Sequence, residues 1–361
     1  MVAFGLIGCG AIANRHLRSL VRCPEATLTA VCDVREDAME RISAEYQAGT
    51  GQRQGIARYQ DVQALLGDKS VEAVIIATPS KLHAELAKQA MEAGKHVMLE
   101  KPMALSLRDA ETIVSLARQR KAVVQICHQL RYKPVMERIK ELVSSGAMGR
   151  VYLGVVSLRL QRSQEYYNAA PWRGTWDQDG GMLLNQGIHL LDLLQWFMGE
   201  PARVYGRMLR GPIPKQTEDV AAGVIEFEQG GIGVIEANTL TYPCNYDNGI
   251  TLFGERGTVS IGGITLNEIR KWEFADPIPC PDRGWDEADE HLIMYEQFIR
   301  ALAGDSSAKL VTAAEGLKVL KLIFSFYHSV NMRSGVARPP SSFSTTEMAS
   351  WEGGMDHGGS L

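Results

Sequence analysis

An apolar, β-branched run at Val2–Ile7 leads straight into Gly8-Cys9-Gly10-Ala11-Ile12-Ala13, and a helical pattern follows over Ile12–Arg22. No other feature constrains the chain as tightly. Gly8 permits a tight turn, Gly10 lets backbone approach a pyrophosphate, and Ala13 allows a helix to pack closely on a strand. The helix start, with Ala11 and Ile12 in the turn, favours an anion. A second apolar run, Leu28–Cys32, ends on Asp33, about twenty residues beyond the glycines. A carboxylate there can accept from both ribose hydroxyls and repels a 2′-phosphate. The order of elements is that of a βαβ dinucleotide unit, and Asp33 favours NAD over NADP, an effect softened by Arg35.

The alternation continues. Val71–Ala77, His96–Leu99 and Val123–Cys127 have strand length and character, and helical spacing marks Glu36–Gln47, Lys81–Ala93 and Leu107–Arg120. Ser80 and Ser106 are placed as N-caps, and Gly94 as a helix stop. Strands alternating with helices imply right-handed crossovers and a parallel sheet of about six strands, ending near residue 130. From Val151 the pattern changes. Val151–Leu160, Val204–Leu209, Ala222–Phe227, Gly233–Ala237, Gly249–Phe253 and Thr258–Ile261 are strand-like, several joined by short glycine turns. Helical patterns follow at Glu290–Leu302 and Ala313–Asn331. The expected fold is therefore α/β: an N-terminal Rossmann domain (1–130), then an α+β domain (131–337) built on an open, mainly antiparallel sheet. The Ser-, Pro- and Gly-rich tail (338–361) reads as a mobile arm or an oligomer-contacting extension.

Composition narrows the functions. The 361 residues carry 38 Lys+Arg against 42 Asp+Glu, a formal net charge of −4 with no basic run, so nucleic acid is not an expected partner. No stretch approaches the ~20 apolar residues that span a bilayer, and no secretory signal is visible, so a cytoplasmic protein is expected. The six cysteines are scattered, without metal-ligand spacing. They read as reduced, mostly buried thiols.

Ligands of open parallel sheets bind beyond the carboxyl ends of the strands. Those ends carry Thr78-Pro79-Ser80 with His83, then Glu100-Lys101-Pro102, then His128-Gln129-Leu130-Arg131-Tyr132. Further on, Asn185, His189 and Asp192 fall at i, i+4 and i+7 of a Leu-rich helical pattern, which gives them one face. The bland reading of that stripe is a merely solvated helix edge.

Gly8-x-Gly10-x-x-Ala13, Ala77-Thr78-Pro79 with His83, Glu100-Lys101-Pro102 and the Gly180-Gly181 helix with Ile188-His189-x-x-Asp192 together resemble the glucose–fructose oxidoreductase/inositol dehydrogenase (Gfo/Idh/MocA) family. The resemblance runs over residues 1 to about 335. It implies NAD as cofactor, a small-molecule sugar substrate, and a homo-tetramer or homo-dimer assembled through the open sheet. It also implies that Gly8, Gly10, Ala11, Ile12, Asp33, Thr78, Pro79, His83, Glu100 and Lys101 surround the cofactor. Lys101, Asn185 and His189 fall on the family's catalytic positions. The departure is Asn185, where many members have Asp: an amide orients but cannot take up a proton. Tyr166-Tyr167, Trp172-Arg173-Gly174-Thr175-Trp176 and Asp179-Gly180-Gly181 look like the nucleotide-sugar members, in particular UDP-N-acetylglucosaminuronate 3-dehydrogenases. Arg131, Arg162 and Arg173 are candidate forks for carboxylate or diphosphate, with Tyr167 and Asp192 as further substrate contacts.

Oxidising a secondary alcohol removes a hydroxyl proton as hydride leaves the same carbon. His189 is the candidate base and Lys101 the cation on the developing alkoxide; the roles exchange if burial and the cofactor charge depress Lys101. An inositol or free-sugar dehydrogenase, and a dinucleotide-sensing regulator without chemistry, are the rival readings. NAD(H) should bind more tightly than NADP(H), with Asp33→Ala narrowing the gap. Equal or tighter NADP binding by the unaltered protein, measured by titration, would contradict that role for Asp33.

Overall fold

In the computed structural model, which describes residues 1–51, 55–281, 287–333 and 335–353, the first half folds as the alternation requires. β1 (Val2–Ile7), α1 (Ala13–Arg22), β2 (Ala26–Cys32), α2 (Glu36–Thr50), β3 (Ala57–Tyr59) and α3 (Val62–Gly67) come first. They are followed by β4 (Ala73–Ile76), α4 (Ser80–Glu92), β5 (His96–Leu99), α5 (Leu107–Arg120) and β6 (Val124–Ile126). The strands form one parallel sheet in the order β3-β2-β1-β4-β5-β6. β4 is buried at every position, as a parallel sheet covered on both faces requires, which is why it reads as an unbroken apolar run. Edge strand β3 has no such run. It is Ala57-Arg58-Tyr59, placed by pairing with Ala30–Cys32 of β2. Ser80 does not cap α4: the cap position is Pro79, and Ser80 is the first helical residue, buried.

The second half contains α6 (Pro134–Ser144), β7 (Val151–Arg159), α7 (Gln164–Asn168), a π-helical turn (Leu183–Gly187) and α8 (Ile188–Met198). β8 (Pro201–Leu209), β9 (Val220–Phe227), β10 (Ile232–Asn238), β11 (Asp247–Gly254), β12 (Gly257–Gly262) and β13 (Glu268–Phe274) follow, then α9 (Glu287–Leu302) and α10 (Ala313–Asn331). Seven strands make a sheet in the order β13-β12-β11-β7-β10-β9-β8. Every pairing is antiparallel except β7 with β10. On its inner face Gly206 and Gly223 leave room for the Phe326 ring of α10, since a Cβ at either would fall 2.7 or 2.5 Å from it. The outer face carries the cross-strand row Tyr205–Val224–Val234–Val155–Thr251–Ser260. Tyr205, Val224, Ile232 and Phe253 are all exposed there.

The chain divides into two units. One comprises Met1–Ala104, Arg108–Tyr132 and Asp286–Leu317; the other comprises Leu105–Leu107, Lys133–Trp285 and Lys318–Leu361. The first unit runs to Tyr132, just past β6, and residues 286–317 return to it. There α9 packs along α1, and the Phe4 ring meets Tyr295 at 5.5 Å and Phe298 at 5.9 Å. The tail is also different from a mobile arm as far as residue 353. Phe343 O accepts from Leu107 N, Thr345 N donates to Leu105 O, and a capping box at Ser344 starts a 3₁₀ turn over Thr345–Ser350. Phe343 and Met348 are buried. The tail expectation for 354–361 lies outside the described residues.

A buried carboxylate fixes the start of the π turn in the second unit. Glu218 Oε1 accepts from Leu183 N and from the Tyr327 hydroxyl, each at 2.9 Å. A Cβ at Gly181 would lie 2.6 Å from Glu218 Oε2, so only glycine fits. Burial pushes the Glu218 carboxyl from 4.5 up to about 7, against the opposing pull of Lys215 and these donors. The folded chain therefore holds this proton more tightly than the unfolded chain. Stability should fall as pH rises from about 4.5 to 7, with an order-of-magnitude cost of about 3 kcal/mol fully present above that window. Glu218→Gln, which never ionises, should raise the thermal midpoint relative to wild type at pH 8 and scarcely change it at pH 5. Equal shifts at both pH values would show that the charge is not what costs.

Candidate active site

In the first unit the turn after β1 is built for close approach. Gly8 has φ +96°, and a Cβ there would lie 2.6 Å from the Ala77 carbonyl oxygen. Gly10 is exposed, and a Cβ on it would meet nothing within 4 Å, so its backbone is open to a phosphate. Ala11 and Ile12 form the turn, and Ala13, fully buried, opens α1. Asp33, just past β2, accepts from Cys9 N at 2.7 Å and Arg35 N at 3.0 Å. Its two oxygens offer about four lone-pair sites, which leaves acceptors for ribose hydroxyls. Arg41, which the motif does not point to, donates to Cys9 O at 3.0 Å and Asn14 Oδ1 at 2.7 Å and braces the glycine turn. These residues fit a dinucleotide.

Two residues expected beside the cofactor face inward instead. His83 is buried, with Nδ1 2.7 Å from Pro102 O and Nε2 2.8 Å from Thr78 O. Burial pushes it below its ordinary value, so the neutral ring donates to one of these two carbonyls while packing against both the turn after β4 and the turn after β5. Thr78 is half-buried there, and Pro79 is the N-cap of α4. Glu100 is also buried: Oε1 lies 3.0 Å from His16 Nε2, and Oε2 accepts from Lys101 N at 3.2 Å. Lys101 itself is half-buried, and the Lys101–Pro102 peptide is cis. Arg131, expected as a substrate fork, is buried and ion-paired with Glu315 at 2.7 Å within the same unit.

In the second unit the π turn carries Asn185 and α8 carries His189, both half-buried. The expected polar stripe is not an open, solvated edge, because Asp192 is buried, as is most of α8. Asn185 Nδ2 donates to Asp179 Oδ1, while Asp179 Oδ2 accepts from Gly174 N at 2.8 Å. Tyr166, rather than Tyr167, joins the arginines. Arg173 lies 4.3 Å and Arg162 5.2 Å from its ring centroid, and its hydroxyl accepts from Gln186 Nε2 at 3.0 Å. Arg173 also donates to Tyr166 O at 2.8 Å. Tyr167 is buried instead, its phenol pushed well up by burial, with Lys215 Nζ 5.3 Å from the ring centroid. Nothing in the sequence separates two adjacent tyrosines; only the short helix α7 does.

Residues 2–128 match the oxidoreductase family with NAD-binding Rossmann fold of the Gfo/Idh/MocA proteins, and residues 136–260 match the Gfo/Idh/MocA C-terminal domain. The WlbA dehydrogenase from Bordetella pertussis, solved in complex with NADH and UDP-GlcNAcA, is 31% identical. Its alignment covers 94% of this chain and 99% of that one, with a TM-score of 0.82. An inositol 2-dehydrogenase of Rubrobacter xylanophilus is 30% identical over 75% of this chain and 74% of its own. A D-glucoside 3-dehydrogenase of Escherichia coli is 25% identical over 90% of this chain and 94% of its own. With its glycine turn, Glu100-Lys101-Pro102 and two-part fold, the chain belongs to the Gfo/Idh/MocA oxidoreductase family and is a nicotinamide-dependent dehydrogenase with an NAD-binding Rossmann domain.

Proposed function

We propose that the protein oxidises a secondary alcohol of a nucleotide-linked sugar acid, at its C3 hydroxyl, with NAD as acceptor. The arginine–tyrosine cluster carries this reading. Arg162 and Arg173 gather at the Tyr166 ring, 5.2 and 4.3 Å from its centroid, and a carboxylate or diphosphate is the group that neighbouring guanidinium forks recognise. The likeness to a dehydrogenase solved with NADH and UDP-GlcNAcA supports the same substrate class.

In the proposed mechanism His189 takes the hydroxyl proton, since imidazole is the side chain that exchanges protons near neutrality. Lys101 places an ammonium on the oxygen as negative charge develops there. Bound nicotinamide supplies the hydride acceptor. Asn185, with its amide donated to Asp179, can present its own oxygen and orient a substrate hydroxyl without exchanging a proton. Arg162 and Arg173 hold the anionic end of the substrate.

We also propose that copies of the chain cover the outer sheet face of the second unit in a homo-tetramer or homo-dimer, because a contiguous apolar face is costly to leave in water. Light scattering at micromolar concentration should give a multiple of the chain mass; a monomer mass would reject this assembly.

A substrate panel tests the activity. NADH fluorescence should rise with NAD and UDP-N-acetylglucosaminuronate and stay flat with myo-inositol or glucose. Lys101→Ala should lower turnover by ~10²–10⁴-fold while leaving NAD affinity nearly unchanged. His189→Ala should cost a similar factor that shrinks as pH rises, because hydroxide then competes as base. Arg173→Ala should chiefly raise KM. Turnover of myo-inositol alone would replace the proposed substrate, and near-normal rates for Lys101→Ala would remove the mechanism.

A further inference from the structure

Behind Lys101 lies a buried chain of polar groups that the motif does not explain. His16 of α1 and Tyr295 of α9 are both fully buried, with His16 Nδ1 2.9 Å from the Tyr295 hydroxyl. His16 Nε2 is 3.0 Å from Glu100 Oε1, and Glu100 Oε2 accepts from the Lys101 backbone N–H at 3.2 Å. The next residue is held as well, since Pro102 O faces His83 Nδ1 at 2.7 Å. We infer that Glu100, held by His16 and Tyr295, is a positioning residue that sets the direction of the Lys101 side chain by fixing its backbone from behind.

The chemistry is consistent at each link. Burial works against a charge on Glu100, but the His16 hydrogen bond and the neighbouring Lys101 outweigh it and hold the carboxyl down to about 2. An ionised carboxylate only accepts, so the proton between His16 and Glu100 sits on Nε2 and the Lys101 N–H has a fixed acceptor. Tyr295 leaves His16 no freedom to turn, because its hydroxyl meets the other ring nitrogen and its ring stands edge-on to the imidazole at 6.0 Å. The Cys127 thiol is close enough to Glu100 and His16 for the three to surround a cation. Burial pushes that thiol well up, however, so it stays protonated and is a poor ligand. Because α9 comes from the far end of the chain, the last part of the sequence contributes to the placement of a lysine in the first.

This inference rests on the proposed role of Lys101 for its kinetic consequence, but not for its geometry, and the test separates the two. Tyr295→Phe removes one hydroxyl and keeps the ring; Glu100→Gln keeps the shape and removes the charge. In both, the labelling rate of Lys101 by trinitrobenzenesulfonate, read by peptide mass spectrometry, should change several-fold. The other lysines and the NADH dissociation constant should stay close to wild type at a temperature well below the thermal midpoint, which the loss of a buried hydrogen bond lowers in both variants. With UDP-N-acetylglucosaminuronate, kcat should fall by up to about 10²-fold with little change in KM, the loss expected when a reacting group is slightly misplaced. In a Lys101→Ala background neither change should lower turnover further. Unchanged Lys101 labelling in both variants would overturn the inference, as would equal losses with and without Lys101. Stoichiometric zinc in the purified protein, lost in His16→Gln, would also overturn it. Full activity of Lys101→Ala would instead remove the catalytic reading and leave the labelling result to stand alone.

Discussion

A run of backbone hydrogen bonds along the carboxyl edge of the first sheet holds together everything that the site needs from that unit. Gly8 N donates to Cys32 O, Ala77 N to Ile7 O, Glu100 N to Ile76 O and Cys127 N to Leu99 O, all at 2.8–3.0 Å. Each bond joins the residue just past one strand to the last residue of its neighbour. The turns that carry Asp33, Thr78, Lys101 and His128 are thereby fixed to one another before any side chain acts. The tightest point is where β1 meets β4, at the reversal of strand order. There Gly8 lies against the Ala77 carbonyl with no room for a Cβ. A larger residue would push apart the two turns that a dinucleotide must touch together.

Side chains divide into those that face the ligand and those that hold the edge in place, and sequence position does not distinguish them. Glu100 and Lys101 are adjacent, yet one lies buried behind the strand and the other is half-buried. His83 sits one turn into α4 and spans two carbonyls. Polar residues beyond strand ends are legible as belonging to a site, because open parallel sheets bind ligands there. Which way each one points depends on partners far away in the chain. Glu100 answers to His16, and Arg131 to Glu315, whose helix shows no sign in the sequence of belonging to the first unit.

The same distinction explains how the fold was legible. Strands with unbroken apolar runs and helices with a regular period announce themselves locally, so β1, β2, β4, β5 and β6 and the helices α1, α2, α4 and α5 could be read directly, whereas the six-residue α3 is too short to show a period. β3 and β13 could not. β3 is three residues long, and β13, Glu268-Ile269-Arg270-Lys271-Trp272-Glu273-Phe274, is mostly charged. Both are edge strands, where one neighbour suffices and charge is tolerated. The tail misleads for a related reason. Its Ser, Pro and Gly content suits an arm, but Phe343, Thr345 and Met348 supply the few buried contacts that secure it.

The departure at Asn185 follows from a neighbour that no spacing rule includes. Helical arithmetic set Asn185, His189 and Asp192 on one face, but the turn that holds Asn185 is π-helical, and a wider turn rotates its residues relative to those of α8. In that position the Asn185 amide donates to Asp179, a buried carboxylate already engaged by Gly174 N. An aspartate at 185 would put two carboxylates in contact, and one would have to keep a proton. The amide removes that conflict. With Asp179 in place, asparagine is therefore the residue that keeps the π turn ordered. Under the proposed chemistry Asn185 is an orienting residue, and His189 is the group on this helix that takes the proton.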